Sequence, residues 1–474
     1  MTVATELEPG QRLRLVKFLG YGWSSQRSLP SVRDQVEAAL AAARRSGWEG
    51  ILAAQRDYLD DFWDRADVEL EGDAELQQAT RFALFHILQA GARAEGRAIA
   101  AKGLTGPSYD GHTFWDTETF VLKPLTYTVP HAAGDALRWR HATLGLARER
   151  AKILGLEGAS FPWRTIRGQA ISKYWPASTA AFHINADISA AVVRYLAATG
   201  DNTFEHEAGV ELLVETARLW LSLGHYDAHG RFRIDGVTGP DEYSAIADNN
   251  VFTNLMAQKN LQAAADVVER NPERAQELGV DPDEVAAWRD AAQAMFVPYD
   301  EELGVHPQDE QFTEHAVWDF AHTSTDEYPL MLHHHYFDLY RKQVVKQADL
   351  VLALYLRGDA FSPEEKARNF EYYEPLTVRL TVGVRSGGGR GRGRTSRASL
   401  RLLRRSRSPG PWKPPSQHPR RRSPGLVGRR LDRRGGWVWR HARLRRLAQL
   451  RSPAPRAAVP PGLPALLSRP PHPG

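Results

Sequence analysis

Apolar residues recur at three- and four-residue spacing through most of the chain up to residue 371. That period predicts amphipathic helices over 31–65, 74–97, 132–155, 184–199, 208–223, 250–271, 282–294 and 334–357, with a shorter one at 363–371. Pro30-Ser31 opens the first, with Asp34 at capping-box spacing from Ser31. Only QRLRLVKFLGYGWS, residues 11–24, alternates apolar and polar as a strand would. With strands so scarce, a parallel α/β sheet is excluded. The expectation is a mainly α fold, a toroid of helix pairs whose ligand site lies at one end, in the connecting loops.

Four of those loops carry chemistry. They are GLTGPSYDGHTFWDTETF at 103–120, FPWRTIRGQAISKYWP at 161–176, DGVTGPDEYS at 235–244, and HTSTDEYPLMLHHHY at 322–336. The last runs into YRKQVVKQADLVLALYL, where Lys346 and Gln347 are expected on a helix. Each loop sets Trp or Tyr beside acids, amides or hydroxyls. Aromatic faces stack on the C–H faces of sugar rings, and carboxylates and amides fork across hydroxyl pairs, so a carbohydrate is the expected ligand. No phosphate-binding P-loop, dinucleotide fingerprint or HExxH helix is present.

Composition narrows the class. The 474 residues include no cysteine, which excludes disulfides and zinc–cysteine sites. No segment reaches the roughly 20 apolar residues of a membrane span, and MTVATELEPGQ lacks signal-peptide features, so a cytoplasmic protein is expected. The net charge of +4 conceals two unlike parts. Residues 380–474 hold 24 of the 61 Lys+Arg and one acid, Asp432, leaving 37 basic against 56 acidic residues in the first 379.

GVTGPDEYSAIADNNVFTNLMAQKNL resembles the catalytic-loop signature of glycoside hydrolase family 65, the family of maltose, trehalose, kojibiose and nigerose phosphorylases and acid trehalases. HTFWDTETF, FPW and VVKQADLVLALYL resemble its other motifs, in the family's order. The resemblance implies an (α/α)6 barrel preceded by a β-sandwich and a helical linker. Residues 1–29 would then be the last strands of the sandwich, 30–73 the linker, and 74–379 an incomplete barrel. It also implies roles: Glu242 as general acid, Trp115 and Asp116 holding the glucosyl unit, and Lys346 with Gln347 gripping its hydroxyls. The implied reaction is inverting phosphorolysis of an α-glucosidic disaccharide to β-glucose 1-phosphate and glucose. Inorganic phosphate is the co-substrate, with no metal or organic cofactor. Family members are often dimers, so a homodimer is expected of the intact enzyme, with neither nucleic acid nor membrane as partner.

The chemistry fits those residues. An inverting hydrolase needs an acid and a base, whereas a phosphorylase needs only the acid, because phosphate attacks as an anion. Glu242 has to be protonated near neutrality, and partial burial with Asp241 alongside is expected to raise its pKa. Acid trehalase-like hydrolysis and a non-catalytic sugar-binding or nucleic-acid-binding remnant are the alternatives. His333, His334 and His335 are consecutive and cannot share one helical face, so a metal cluster is not expected there. Asp326 and Glu327 read as loop acids.

After residue 379 the pattern changes to RSGGGRGRGRTSR and stays arginine-rich. Its basic residues are 23 Arg and one Lys, whereas phosphate-binding tails ordinarily use both. Family members continue with DSSLS and a segment like NTRDGxHxAS. Reading permitted codons from their second base recovers such a continuation: RSGGGRGR at 385–392 can encode AVVAAEVG, and WKPPSQHPRRRSP at 412–424 can encode GNLHRNTRDGVHL. Out-of-frame translation from about residue 380 is therefore expected, giving a disordered segment and, with the phosphate seat missing, an inactive product.

Overall fold

The structure, a computed structural model, describes residues 5–24, 27–91, 96–106, 108–172 and 174–378. The segment expected to be out of frame lies outside the described residues.

The longer helices are α1 Leu29–Ala66, α2 Ala74–Gly91, α3 Leu122–Thr128, α4 Pro130–Ala142, α5 Leu144–Ile153, α6 His183–Thr199, α7 Val210–Leu223, α8 Val251–Arg270, α9 Pro282–Ala294, α10 Asp349–Leu356 and α11 Pro363–Tyr373. Ser28, not Ser31, caps α1, its hydroxyl accepting from Ser31 N–H at 3.4 Å. Gly47, at φ 65°, kinks α1 midway. The helix expected over 132–155 is divided at Thr143 into α4 and α5. The core is built around α8, which packs on α6, α7 and α9. Trp220 and Trp288 are fully buried there, each burial contributing on the order of 2–3 kcal/mol. Trp220 Nε1 donates to Asn260 Oδ1 at 3.0 Å, so the ring's one polar atom is satisfied.

Two further expectations fail. Residues 11–24 form no strand, because among the described residues no segment pairs with their backbone edge. The segment lies against α1 instead, close enough that a Cβ on Gly22 would come within 2.7 Å of Val32 and Val36. The helix expected over 334–357 survives only as Tyr336–Leu339 and α10. Between them Lys346 and Gln347 lie in a non-helical bend. Val345 exchanges backbone hydrogen bonds with Leu376 and Val378, at 3.0 and 2.9 Å. Asp241 Oδ1 takes the N–H groups of Lys346 and Gln347, at 2.9 and 3.2 Å, which a helix would have used internally.

Candidate active site

A short antiparallel pair, β1 Thr113–Phe114 with β2 Arg164–Thr165, ties the first chemical loop to the second. Phe114 packs edge-on against Trp163 at 5.0 Å, so the two loops share a wall. The third loop, GVTGPDEYS, is drawn tight. Gly236 sits at φ +67°, and a Cβ on Gly239 would lie 2.1 Å from Asp349 Oδ2 and 2.6 Å from Asn250 Nδ2, so no larger residue fits there. Asn250 caps α8 by accepting from Thr253 N–H at 3.0 Å. Glu242 is thus free of any helix-capping duty.

All five candidates, Trp115, Asp116, Glu242, Lys346 and Gln347, line one cavity of about 800 Å³. Trp163, Tyr109, Tyr355 and Glu374 line it too. Glu242 and Trp163 also line an adjoining cavity of about 560 Å³, with His112, Arg164, Tyr174 and Tyr336. Glu242 therefore stands where two aromatic-walled chambers meet. Trp115 is buried and packs edge-on against His183 at 5.0 Å, which fixes its ring. Burial pushes the Asp116 carboxyl above its ordinary range, reinforced by the charges of Glu118 and Glu242.

The surroundings of Glu242 differ from expectation. Its Oε2 accepts from Lys346 Nζ at 2.6 Å, an ion pair between the third and fourth loops. Asp241 does not face the cavity as a charged neighbour. It is fully buried, with Oδ1 accepting from the N–H groups of Tyr243, Lys346 and Gln347 and Oδ2 from Gln308 Nε2 at 3.0 Å. One carboxylate thereby clamps the acid-bearing loop to the segment that carries Lys346.

Beneath the clamp lie two more buried acids. Ser244 Oγ donates to Asp309 Oδ2 at 3.1 Å, and Asn250 Nδ2 donates to Asp349 Oδ2 at 2.9 Å. Burial pushes Asp241 up to about 6 and Asp309 up to about 7, and raises Asp349 well above its usual range. An acid raised on folding binds more protons in the native than in the unfolded state between about pH 4 and its folded pKa. Stability from these groups is therefore fully present below about pH 4 and is lost as pH rises through about 6 to 7. Urea midpoints at pH 5 and 7 are expected to show that fall, and Asp309→Asn to make it shallower.

Some residues that brace the site were not singled out from the sequence. Tyr174 donates its hydroxyl to the Glu242 carbonyl at 3.2 Å and pairs with Tyr340 at 3.0 Å, bracing the acid loop from a distant part of the chain. Burial, then the Tyr340 hydrogen bond, raises the Tyr174 hydroxyl's pKa. Gln308 joins Asp241 to α10 through the Asp349 N–H at 3.2 Å. Of the histidines, His334 Nε2 lies 2.9 Å from Glu327 and His335 accepts from Phe337 N–H at 3.1 Å.

Residues 81–382 match the family model of the glycosyl hydrolase family 65 central catalytic domain, and residues 1–62 that of the family's N-terminal domain. The chain belongs to glycosyl hydrolase family 65. An uncharacterized glycosyl hydrolase of Mycobacterium tuberculosis is 65% identical over 378 residues, covering 80% of this chain and 48% of that protein. An α,α-trehalose phosphorylase of Geobacillus stearothermophilus is 47% identical over 333 residues, 68% of this chain and 43% of its own. A solved structure designated a candidate kojibiose phosphorylase from the human microbiome superposes with a TM-score of 0.70 at 30% identity. It covers 75% of this chain and 50% of that one, and the helical body shares its (α/α)6 barrel fold. The chain spans about half the length of the curated relatives it matches. Among the described residues no helix is long and apolar enough to cross a membrane.

Proposed function

We propose that this family 65 scaffold serves inverting phosphorolysis of an α-glucosidic disaccharide, of the maltose, trehalose or kojibiose type, to β-glucose 1-phosphate and glucose. The observation that carries the reading is the place of Glu242 at the border of two cavities, since a general acid must sit between the two sugars whose bridge it protonates. Trp115, Asp116, Lys346 and Gln347 hold the glucosyl unit in the larger chamber, and the acceptor sugar occupies the one lined by Arg164, Tyr174 and Tyr336. Lys346 Nζ occupies Glu242 Oε2, so proton delivery requires the ammonium to turn to a sugar hydroxyl while Oε2 turns to the glycosidic oxygen. Inorganic phosphate is the nucleophile and no metal or organic cofactor enters. A phosphorylase name on a relative 47% identical over 333 residues supports the same reaction.

One observation favours the second reading, inverting hydrolysis as in acid trehalases. Glu374 lines the cavity that Glu242 enters and would serve as the base a hydrolase needs. Phosphate dependence separates the two. A chain with its frame restored after residue 379 is expected to release β-glucose 1-phosphate from maltose, trehalose, kojibiose or nigerose only when phosphate is present. The chain as written is expected to release none. Equal cleavage without phosphate, yielding glucose alone, would establish hydrolysis instead.

A further inference from the structure

Across Tyr355 from the sugar cavity lies a further, partly open cavity of about 290 Å³ that the proposed reaction does not use. α3, α6, α8 and α10 line it, and Tyr355 borders both spaces. Three cations face it from three helices: Lys123, Arg194 and Lys259. Neighbouring cations are neutralised, Arg140 by Glu118 at 2.7 Å and Arg357 by Asp359 at 3.2 Å. Among the described residues none of the three cavity cations forms a salt bridge. Arg194 gives Nη2 to the Glu118 carbonyl at 2.6 Å, while its Nε is buried without a partner. Lys123 Nζ rests 3.8 Å above the Tyr355 ring.

Two further polar atoms on the same walls, Thr119 Oγ1 and Asp187 Oδ1, are buried and form no close hydrogen bond, the Thr119 hydroxyl interacting only weakly with the Asp187 carboxyl. Asp359 attracts Lys259, and Glu118 and Asp187 attract Arg194, but no carboxylate pairs directly with any of the three, although a chain whose first 379 residues carry 56 acids against 37 bases had carboxylates available to do so. The single acid present, Asp187, is held by His183 Nδ1 at 2.8 Å. Burial raises its pKa, which favours a neutral acid whose proton can be donated. The burial of Arg194 and Lys259 lowers the pKa of each, a cost that a bound anion would offset.

We propose that this cavity is a phosphoryl-binding site, in which Lys123, Arg194 and Lys259 hold a dianionic phosphate and Thr119 and Asp187 complete its hydrogen bonds. Three cations match a dianion better than a singly charged carboxylate, and charge-assisted hydrogen bonds from Arg and Lys are the strong ones for phosphoryl oxygens. The occupant is inorganic phosphate or the phosphoryl group of a hexose phosphate. The site is separate from the sugar cavity and stands whether the enzyme proves to be a phosphorylase or a hydrolase. By competing for the Lys123 ammonium, the anion would also release Tyr355, which borders the sugar cavity.

The test is thermal denaturation of the full chain titrated with sodium phosphate, against sodium chloride at matched ionic strength. A saturable rise in Tm with phosphate and none with chloride is expected. Lys259→Met removes a desolvated charge, so it is expected to keep or raise Tm without phosphate while weakening phosphate affinity about tenfold or more. Lys123→Met, on another helix, is expected to weaken it similarly. Glu242→Gln, in the other cavity, is expected to leave the phosphate response unchanged. A tighter response to glucose 6-phosphate would identify a sugar phosphate as occupant, and an equal or weaker one the free ion, each supporting the site. The proposal is overturned if chloride acts as phosphate does, if Lys259→Met and Lys123→Met retain full affinity, or if Glu242→Gln abolishes the response.

Discussion

Glu242→Gln, in a chain with its frame restored, is expected to lower kcat on the preferred disaccharide by about 10³-fold, within the roughly 10²- to 10⁴-fold range of general acid catalysis. Glutamine keeps the length of the side chain and an oxygen that can still accept from Lys346 Nζ, so the loop and its ion-pair partner should remain in place. Only the transferable proton is lost. A glucosyl donor whose leaving group needs no protonation, such as a glucosyl fluoride, should therefore lose far less than the disaccharide does. Steady-state kinetics on both substrates checks this. An equal loss on both would mean that the substitution distorts the cavity, and full-speed disaccharide cleavage would remove Glu242 from the mechanism.

Arg140→Met should cost about 3–5 kcal/mol of stability, the loss that follows when one partner of a buried ion pair is removed. Arg140 Nε and Nη2 donate to the two oxygens of Glu118 at 2.7 and 3.0 Å, and both side chains are 1% exposed. Without the guanidinium, the Glu118 carboxylate is left dry and unpaired. A domain's total stability is only about 5–15 kcal/mol, so the variant should be marginal at 37 °C. Glu118 is two residues beyond Asp116 in the π-helical turn Thr117–Val121, and the pair fixes that turn to α4. The same variant should therefore loosen the wall that presents Trp115 and Asp116. Glu118→Leu combined with Arg140→Met should recover most of the loss, because an apolar pair of similar volume avoids the desolvation penalty. Urea unfolding of the single and double variants measures both effects. A cost below about 1 kcal/mol for Arg140→Met would show that water reaches the pair.

Much of the site was legible as residue chemistry. Trp115 and Asp116, Glu242, and Lys346 with Gln347 lie in three separate motifs, yet they line one cavity. The helices α6 to α9 were legible too, because a buried helix face imposes its period on the sequence. The non-helical bend at Lys346 and Gln347 was not. VVKQADLVLALYL has a helical period throughout, and nothing within it shows that the Asp241 carboxylate will claim its backbone N–H groups. The strand expected near residues 11–24 failed for a similar reason: alternation describes a face, while a strand needs an edge to pair with.

What the sequence determined by itself is therefore local and chemical: helices wherever apolar residues recur at helical spacing, a glycine-tight loop at 235–244, and an acid, aromatics and a lysine–glutamine pair in the order of one family. The tertiary structure decided everything that depends on partners far along the chain. It turned Asp241 from a neighbour of Glu242 into a clamp between two loops, and paired Glu242 with Lys346. It also left Lys123, Arg194 and Lys259 facing one cavity with no salt bridge among the described residues. The physical reason is common to all three cases. A charged group's role is set by burial and by what lies within about 3 Å of it, and those distances join residues more than a hundred positions apart, as Asp241 and Lys346 are.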